Sequence, residues 1–387
     1  MAEPAAPLSH LSEDEALFRA SVREFAAAEV APLVREMDAS ASVPRALLER
    51  LFALGLMGIG VPETQGGSGG GFFHAVLAVE ALSAVDPAIG VIVDVQNTLV
   101  TNAIRRWGTP EQVARVLPGL ATSRLGAYAL SEAGAGSDAF ALTTQARPSA
   151  GGYRLTGRKL WVTNAADADL FIVFATVDPG AGHRGITAFL VDRLSQGLSV
   201  SPKEDKLGIR AASTCEVVLD DVAVATDCVL GPVGQGYKVA IETLNEGRIG
   251  IGAQMVGLAD GALAAAISHV RNRRQFGQPI ADFQAVQFQI ARAATEIEAA
   301  RLLVYNAARL RDAGASFLTE SAMCKLVASE TAERVASLAV NLCGGVGFVK
   351  GSLVEKLYRD AKIGQIYEGT TNLQLQTIAR QLLKTSR

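Results

Sequence analysis

The sequence predicts an α+β multidomain protein: an N-terminal α-helical domain over 1–124, a middle domain of antiparallel β-strands over 125–235, and a C-terminal α-helical bundle over 236–387. Three observations lead there. In the first third, apolar residues recur at helical spacing, as at Leu17, Val22, Phe25, Ala26 and Val30. Between Ala127 and Val224 the texture turns to short β-branched or alternating runs separated by Gly, Pro and Asp. From Tyr237 onward the 3.6-residue period returns in segments of about 237–272, 283–312 and 319–342, lengths typical of a bundle rather than of crossover helices.

The first helix is expected over 12–34, with Ser12 placed three residues before Glu15 to form a capping box. A second follows from about Pro44, which suits its first turn, to Leu56. Further helices are expected at 72–83, 87–107 and 110–120, with Gly66 to Gly71 as a flexible glycine-rich loop between them. That loop has no Gly-Lys-Ser/Thr ending, so it is not a phosphate loop. In the middle domain Pro148 to Gly152 and Asp178-Pro179-Gly180 read as turns, and Gly231 to Gly236 as the exit.

Composition narrows the function. With 387 residues, 49% of them hydrophobic, the chain can bury sizeable cores. A net charge of -3 from 36 basic and 39 acidic side chains gives no single-sign field, which excludes a nucleic-acid binder and favours small molecules or proteins as partners. Cys215, Cys228, Cys324 and Cys343 have no metal-ligand spacing, so no metal is expected, and buried thiols in a reducing, cytoplasmic setting are the simplest reading. No targeting peptide is evident at the start. The apolar stretch 72–100 carries Glu80, Asp86, Pro87 and Asp94, which suits buried helices rather than a membrane span.

Candidate chemistry lies in separate motifs. Near the end, Ile366-Tyr367-Glu368-Gly369-Thr370-Thr371-Asn372 places one carboxylate between an aromatic residue and a glycine. Burial there would raise its pKa toward that of a usable base. By itself such a run is more often a helix end with a solvated carboxylate. Tyr128 to Asp138 combines small residues, whose backbone N–H groups can approach a ligand, with the Ser131 and Ser137 hydroxyls, and is a ligand clamp about as often as an ordinary loop. In Lys159 to Asn164, Trp161 and Thr163 would share one face of a strand, suited to covering a planar heterocycle; the residues alone favour a core tryptophan with a turn-forming Asn164. Arg273 and Arg274 could cap a helix or meet a pyrophosphate. Gly344-Gly345-Val346-Gly347 is a tight turn and not a dinucleotide fingerprint, because no strand precedes it.

Taken in order, Leu130-Ser131-Glu132 with Gly136-Ser137-Asp138, Trp161-Val162-Thr163-Asn164, Asn245-Glu246-Gly247-Arg248, Arg273 with Gln275-Phe276-Gly277, Gly344-Gly345-Val346-Gly347 and Tyr367-Glu368-Gly369-Thr370 resemble an acyl-CoA dehydrogenase over essentially the whole length. The resemblance is greatest to the short/branched-chain (2-methylacyl-CoA) members. It implies the acyl-CoA dehydrogenase fold, a homotetramer, and one FAD per subunit reaching into a neighbour. It places Tyr128, Leu130, Ser131, Gly136, Ser137, Trp161 and Thr163 on the flavin, and Arg273, Phe276, Gln284, Asn341, Gly344 and Gly345 on the pyrophosphate and adenine half. Thr370 and Asn372 would complete the set, Asn372 standing where the wider family commonly has glutamine.

For the reaction, the resemblance implies removal of the α-proton by Glu368 and loss of the β-hydride, giving a trans-2-enoyl-CoA, with electrons passed to an electron-transfer flavoprotein. Ser137, Tyr237, Asn245, Arg248 and Gly369 are the implied substrate contacts. Some relatives carry the base at the position of Gly247, which cannot serve; Glu246 points about one hundred degrees around the helix and reads as solvated or salt-bridged. A short α-branched acyl group is expected. The alternatives are a straight short-chain (butyryl-CoA type) dehydrogenase and an oxygen-using acyl-CoA oxidase-like enzyme. A non-enzymatic assembly protein would require loss of the base, and Glu368 is present.

Overall fold

The computed structural model describes residues 7–384. It begins with α1 (Glu13–Phe25), whose Ser12 hydroxyl accepts from Glu15 N at 3.2 Å while Glu15 Oε2 accepts from Ser12 N at 2.9 Å, the expected capping box. The predicted single helix to Val34 is interrupted. Pro32 cannot donate to the helical ladder, and the path passes through a π-turn at Ala26–Val30 and a 3-10 turn at Ala31–Leu33 before resuming as α2 (Val34–Ser40). Pro44 stands as the residue before α3 (Arg45–Ala53) rather than within its first turn.

Next come α4 (Phe72–Ser83), α5 (Pro87–Asp94), α6 (Asn102–Trp107) and α7 (Pro110–Thr122). The predicted helix 87–107 is continuous in path but contains a π segment, Val95–Thr101. Its altered register turns two amides into the core. Gln96 donates to Leu120 O at 2.7 Å and Arg124 O at 3.0 Å and accepts from Gly126 N at 2.8 Å; Asn97 accepts from Ile59 N at 2.9 Å and donates to Leu56 O at 2.8 Å. Backbone groups of the segment after α3, the end of α7 and the connection into β1 are thereby satisfied by one turn of helix.

The middle domain is an eight-stranded sheet of β1 (Gly126–Ala129), β2 (Gln145–Ser149), β3 (Gly152–Thr163), β4 (Leu170–Thr176), β5 (Ile186–Asp192), β6 (Leu198–Val200), β7 (Thr214–Ala225) and β8 (Val229–Leu230), in the order β6-β7-β3-β2-β4-β5-β8 with β1 on β4. Most pairings are antiparallel, as expected, whereas β1 and β2 each run parallel to β4. The chain leaves β1 for the loop at 130–144 and the β2/β3 hairpin, so it returns to β4 by a crossover rather than a tight turn. Between Lys159 and Val162 the β3/β7 register shifts, and Trp161 adopts a left-handed φ of 59°. This bulge breaks the regular alternation expected there and turns the Trp161 ring outward, 61% exposed, so the core-tryptophan reading is incorrect.

The C-terminal helices are α8 (Gly236–Asn272), α9 (Gln284–Asp312), α10 (Leu318–Cys343), α11 (Leu353–Ala361) and α12 (Thr371–Leu382). A hairpin of β9 (Arg274–Gln275) and β10 (Gln278–Pro279) joins α8 toward α9. Helix α8 is long and apolar enough to cross a membrane by length and composition, yet its most apolar window is 83% buried among the other helices. At Gly257 an added methyl carbon would stand 2.1 Å from Glu80 O, so glycine is what lets α8 lie against α4. Lys356 bonds Asp86 at 2.9 Å and Asp360 at 2.6 Å, all three buried, and Asp360 accepts from Ile209 N at 2.5 Å. This cluster ties the first, middle and last parts of the chain together beneath the loop that carries Glu368.

Candidate active site

Glu368 lies between a 3-10 turn (Lys362–Gln365) and α12, in a segment without regular hydrogen bonding. Its φ is 51° and that of Gly369 is 89°, two successive left-handed residues, of which only the glycine adopts that region without strain. The peptide oxygens are fastened from behind: Gln374 Nε2 donates to Glu368 O at 3.1 Å and to Gly369 O at 2.8 Å, and Lys325 Nζ donates to Gly369 O at 2.7 Å. Thr370 caps α12. The Glu368 side chain is thus held facing α8.

There it meets glycine. A methyl carbon built on Gly247 would stand 2.9 Å from Glu368 Oε2 and 2.8 Å from Leu99 Cδ2, and one on Gly250 would stand 1.9 Å from Asp94 Oδ1. Positions 247 and 250 are three apart on α8 and share a face, so the two carboxyl groups lie along one groove that side chains on α8 would close. Glu368 Oε2 and Asp94 Oδ2 are buried without a hydrogen-bond partner among the described residues. Burial raises the Glu368 pKa to about 7, with Lys325 and then Arg248 opposing it. Asp94 is pushed well above the ordinary carboxylate range, by burial and then by Glu368. A carboxylate made more basic by burial, facing a gap in the neighbouring helix, is what proton abstraction from a weak carbon acid needs.

Arg248 bonds Asn245 Oδ1 at 2.9 Å, while its buried Nε has no partner. The Tyr128 hydroxyl is likewise buried and unpartnered, and its pKa is raised by burial and then by the Glu368 charge. Glu246 is not solvated: it is 1% exposed and receives Arg106 Nη1 at 3.1 Å and Arg311 Nη2 at 3.1 Å, in addition to Asn102. Its part is to hold α8 against α6 and α9.

Comparisons with known proteins decide the family. Profiles of the acyl-CoA dehydrogenase N-terminal, middle and C-terminal domains match residues 12–124, 127–222 and 234–383. The chain belongs to the acyl-CoA dehydrogenase family. It is 52% identical over 379 residues to a probable short/branched chain specific acyl-CoA dehydrogenase of Dictyostelium discoideum, covering 98% of this chain and 92% of that one. To the mitochondrial short/branched chain specific acyl-CoA dehydrogenase of Rattus norvegicus it is 48% identical, covering 97% and 87%. Among solved structures, butyryl-CoA dehydrogenase from Megasphaera elsdenii superposes with a TM-score of 0.95 at 39% identity, covering 97% and 99%. A glutaryl-CoA dehydrogenase from Mycobacterium smegmatis in complex with FADH2 gives 0.92 at 29%, covering 97% and 96%. The three-domain architecture of the family is the one described above, and its members are FAD-dependent oxidoreductases.

The chain's own surfaces fit such a cofactor. Beside Trp161, the loop after β1 exposes Gly136 and Ser137, and methyl carbons at Gly134 or Gly136 would meet nothing within 4 Å. Leu130 and Ser131 are pinned from below by Lys159 Nζ to Leu130 O at 3.1 Å and Leu160 N to Ser131 O at 2.8 Å. Thr163 pairs with Thr214 at the end of the same strand. Tyr237 packs edge-on against Phe140 and His183 at the mouth of this region.

A second group of expected residues belongs to the C-terminal helices and their connections. Arg273, Phe276, Gln284, Asn341, Gly344 and Gly345 are all exposed, Phe276 to 93% at a φ of 51° on the tip of the β9/β10 hairpin. Asn372 is exposed on α12. Among the described residues, no hydrogen bond or ion pair joins these to Trp161 or Thr163. Residues absent from the sequence-based site include Asp94, Lys325, Gln374 and the Glu132–Lys159 pair. Asp94 was visible as a charge inside an apolar run; nothing local marked Lys325 or Gln374, which reach the site from α10 and α12.

Proposed function

We propose that this protein is an FAD-bound dehydrogenase that converts short or 2-methyl-branched acyl-CoA thioesters to trans-2-enoyl-CoA, with an electron-transfer flavoprotein as its electron-accepting partner. The observation that carries the reading is the enclosed, unpartnered Glu368 Oε2 facing the Gly247 gap in α8. Glu368 takes the α-proton as its carboxylate and becomes the neutral acid. Its own N–H, which donates to no protein acceptor among the described residues, is the donor available to a thioester oxygen on which charge develops. Arg248 and Asn245 orient the bound acyl group from α8, Gly369 admits close approach, and Ser137 and Tyr237 lie toward the CoA portion. FAD, when bound, supplies the acceptor for the β-hydride.

Within one subunit the flavin portion would be held by Tyr128, Leu130, Ser131, Gly136, Ser137, Trp161 and Thr163, with Thr370 and Asn372 near the catalytic loop. Arg273, Phe276, Gln284, Asn341, Gly344 and Gly345 would serve the adenine half, and the exposure of all six suits a site completed by a neighbouring copy in a homotetramer. The exposed apolar side chains Val346, Phe348, Val349, Leu375, Leu382 and Leu383 supply surface for such contacts. Domain divisions at 124/125 and 235/236 and a cytoplasmic location belong to the same reading.

The names of the two curated relatives support a branched short-chain substrate. A steady-state panel of 2-methylbutyryl-, isobutyryl-, isovaleryl-, butyryl- and hexanoyl-CoA, with electron-transfer flavoprotein as acceptor, tests it. The highest kcat/KM is expected for 2-methylbutyryl- or isobutyryl-CoA, by about 10-fold or more over hexanoyl-CoA, since each methylene that an apolar pocket accepts or rejects is worth about 1–3 kcal/mol. A maximum at butyryl-CoA would favour the straight-chain reading. Fast peroxide formation without an acceptor would favour an oxidase.

A further inference from the structure

Behind the catalytic loop stands a lysine that neither charge nor location in the sequence connects with the reaction. Lys325 is fully buried, midway along α10, with its carbonyl accepting the Ser329 hydroxyl at 2.6 Å; that hydroxyl also reaches Gly364 O at 2.8 Å, fixing the start of the loop. The one hydrogen bond of its side chain among the described residues runs from Nζ to Gly369 O at 2.7 Å. A buried ammonium on a single carbonyl is costly to desolvate and makes a poor structural tie, since a neutral donor would serve as well. Gln374, which bonds the same carbonyl at 2.8 Å, is already such a donor.

What the ammonium adds is charge directed at the adjacent carboxylate. We propose that Lys325 is a positioning residue for this reaction, anchoring the left-handed Glu368–Gly369 turn through the Gly369 carbonyl and balancing the Glu368 carboxylate with its charge. The geometry supports both parts. The two carbonyls of the turn face α10 and α12, while the Glu368 carboxylate faces Gly247 of α8. The groups facing Glu368 are Asp94 from α5, Tyr128 from β1, Arg248 from α8, Lys325 from α10 and Tyr367 from its own loop; only Arg248 and Lys325 are cationic. Lys325 is the stronger of the two favourable influences on Glu368. In return, burial lowers the lysine to about 8, with Glu368 opposing that fall and Arg248 adding to it, while the Cys324 thiol beside it is pushed up to about 12 by burial and stays neutral. Ionised Glu368 and charged Lys325 therefore coexist near neutral pH and support one another.

The inference rests on Glu368 being the base, and two substitutions separate its parts. Lys325→Gln keeps a donor for the Gly369 carbonyl without the charge; Lys325→Met removes both. In each FAD-loaded protein, anaerobic flavin reduction by 2-methylbutyryl-CoA is followed against pH by rapid mixing. Both variants are expected to move the acid limb upward by about one pH unit or more, because an opposing charge within several ångströms of a carboxylate has that effect. Lys325→Met is expected to lower the plateau rate further, about 10-fold or more below Lys325→Gln, with KM changed less than kcat. A rate reduced equally at every pH with the limb unmoved in Lys325→Gln would overturn the proposal and leave Lys325 as packing. Infrared titration of the Glu368 carboxyl, identified by subtraction of a Glu368→Gln spectrum, follows the same shift without turnover. If no acyl-CoA reduces even the parent protein, the proposed reaction fails, and the infrared titration still decides whether Lys325 governs Glu368: an unmoved carboxyl titration in Lys325→Gln would refute it.

Discussion

Glu368→Gln is expected to bind FAD and acyl-CoA as the parent does and to lose about 10^3- to 10^4-fold in the rate of flavin reduction, read by anaerobic rapid mixing. The substitution preserves the size of the side chain and the turn, since the backbone clamps from Gln374 and Lys325 act on carbonyls and not on the carboxylate. What it removes is the carboxylate that faces the Gly247 gap. Asp94 stands about one turn further along α8, opposite Gly250, with its Oδ1 already accepting from the Thr98 hydroxyl at 2.9 Å. Gly247 offers no side chain, and a carboxylate placed there would begin with its Cβ 2.9 Å from Glu368 Oε2. Reduction at near-parental rates in Glu368→Gln would show that the base lies elsewhere.

The largest expected effect on stability lies in the middle domain. Lys159 is 0% exposed and donates to Glu132 Oε1 at 2.7 Å and to Leu130 O at 3.1 Å, while Glu132 also accepts from Thr143 N at 2.7 Å and Thr144 N at 3.0 Å. Burial alone would raise the Glu132 carboxyl, but the Lys159 charge and these hydrogen bonds outweigh it and hold it at about 2. Lys159→Met leaves that carboxylate buried beside no cation, and the expected loss is about 3–5 kcal/mol, measured by urea unfolding followed by circular dichroism. The double variant Glu132→Gln/Lys159→Met is expected to recover part of the loss, because both charges are then gone. A single variant within about 0.5 kcal/mol of the parent would show that the pair is solvated. The stabilisation from Glu132 should be complete above its ordinary pKa and decline as pH falls from there toward about 2, since its folded-state pKa lies below the unfolded one.

Much of this was legible in the sequence because the relevant rules are local. Ser12 and Glu15 announced the first capping box, Pro110 opened the expected helix, and the turn read at Pro148 to Gly152 is the β2/β3 hairpin. Glu368 could be selected because its motif is contiguous. What escaped depends on contacts across the fold or on departures from periodicity. The π segment at Val95–Thr101 adds no residue type that a helix lacks, so only the partners of Gln96 and Asn97 reveal it. The bulge at Trp161 changes the direction of one ring within an otherwise regular strand. Lys325 and Gln374 meet at Gly369 from two helices, a convergence invisible to spacing along either. For Glu246 the sequence left solvated and salt-bridged open, and the salt-bridged reading holds; its burial was not legible because its partners Asn102, Arg106 and Arg311 are distant in sequence.

The pH dependence of flavin reduction in the parent protein tests the central claim, that burial tunes Glu368 to act as the base. At limiting 2-methylbutyryl-CoA the second-order rate constant reports ionisation of the free protein. It should rise about 10-fold per pH unit at low pH and level off above about 7, where the enclosed carboxylate has lost its proton. A rate independent of pH from roughly 5.5 to 8.5, or a limb at the ordinary carboxylate value, would contradict it.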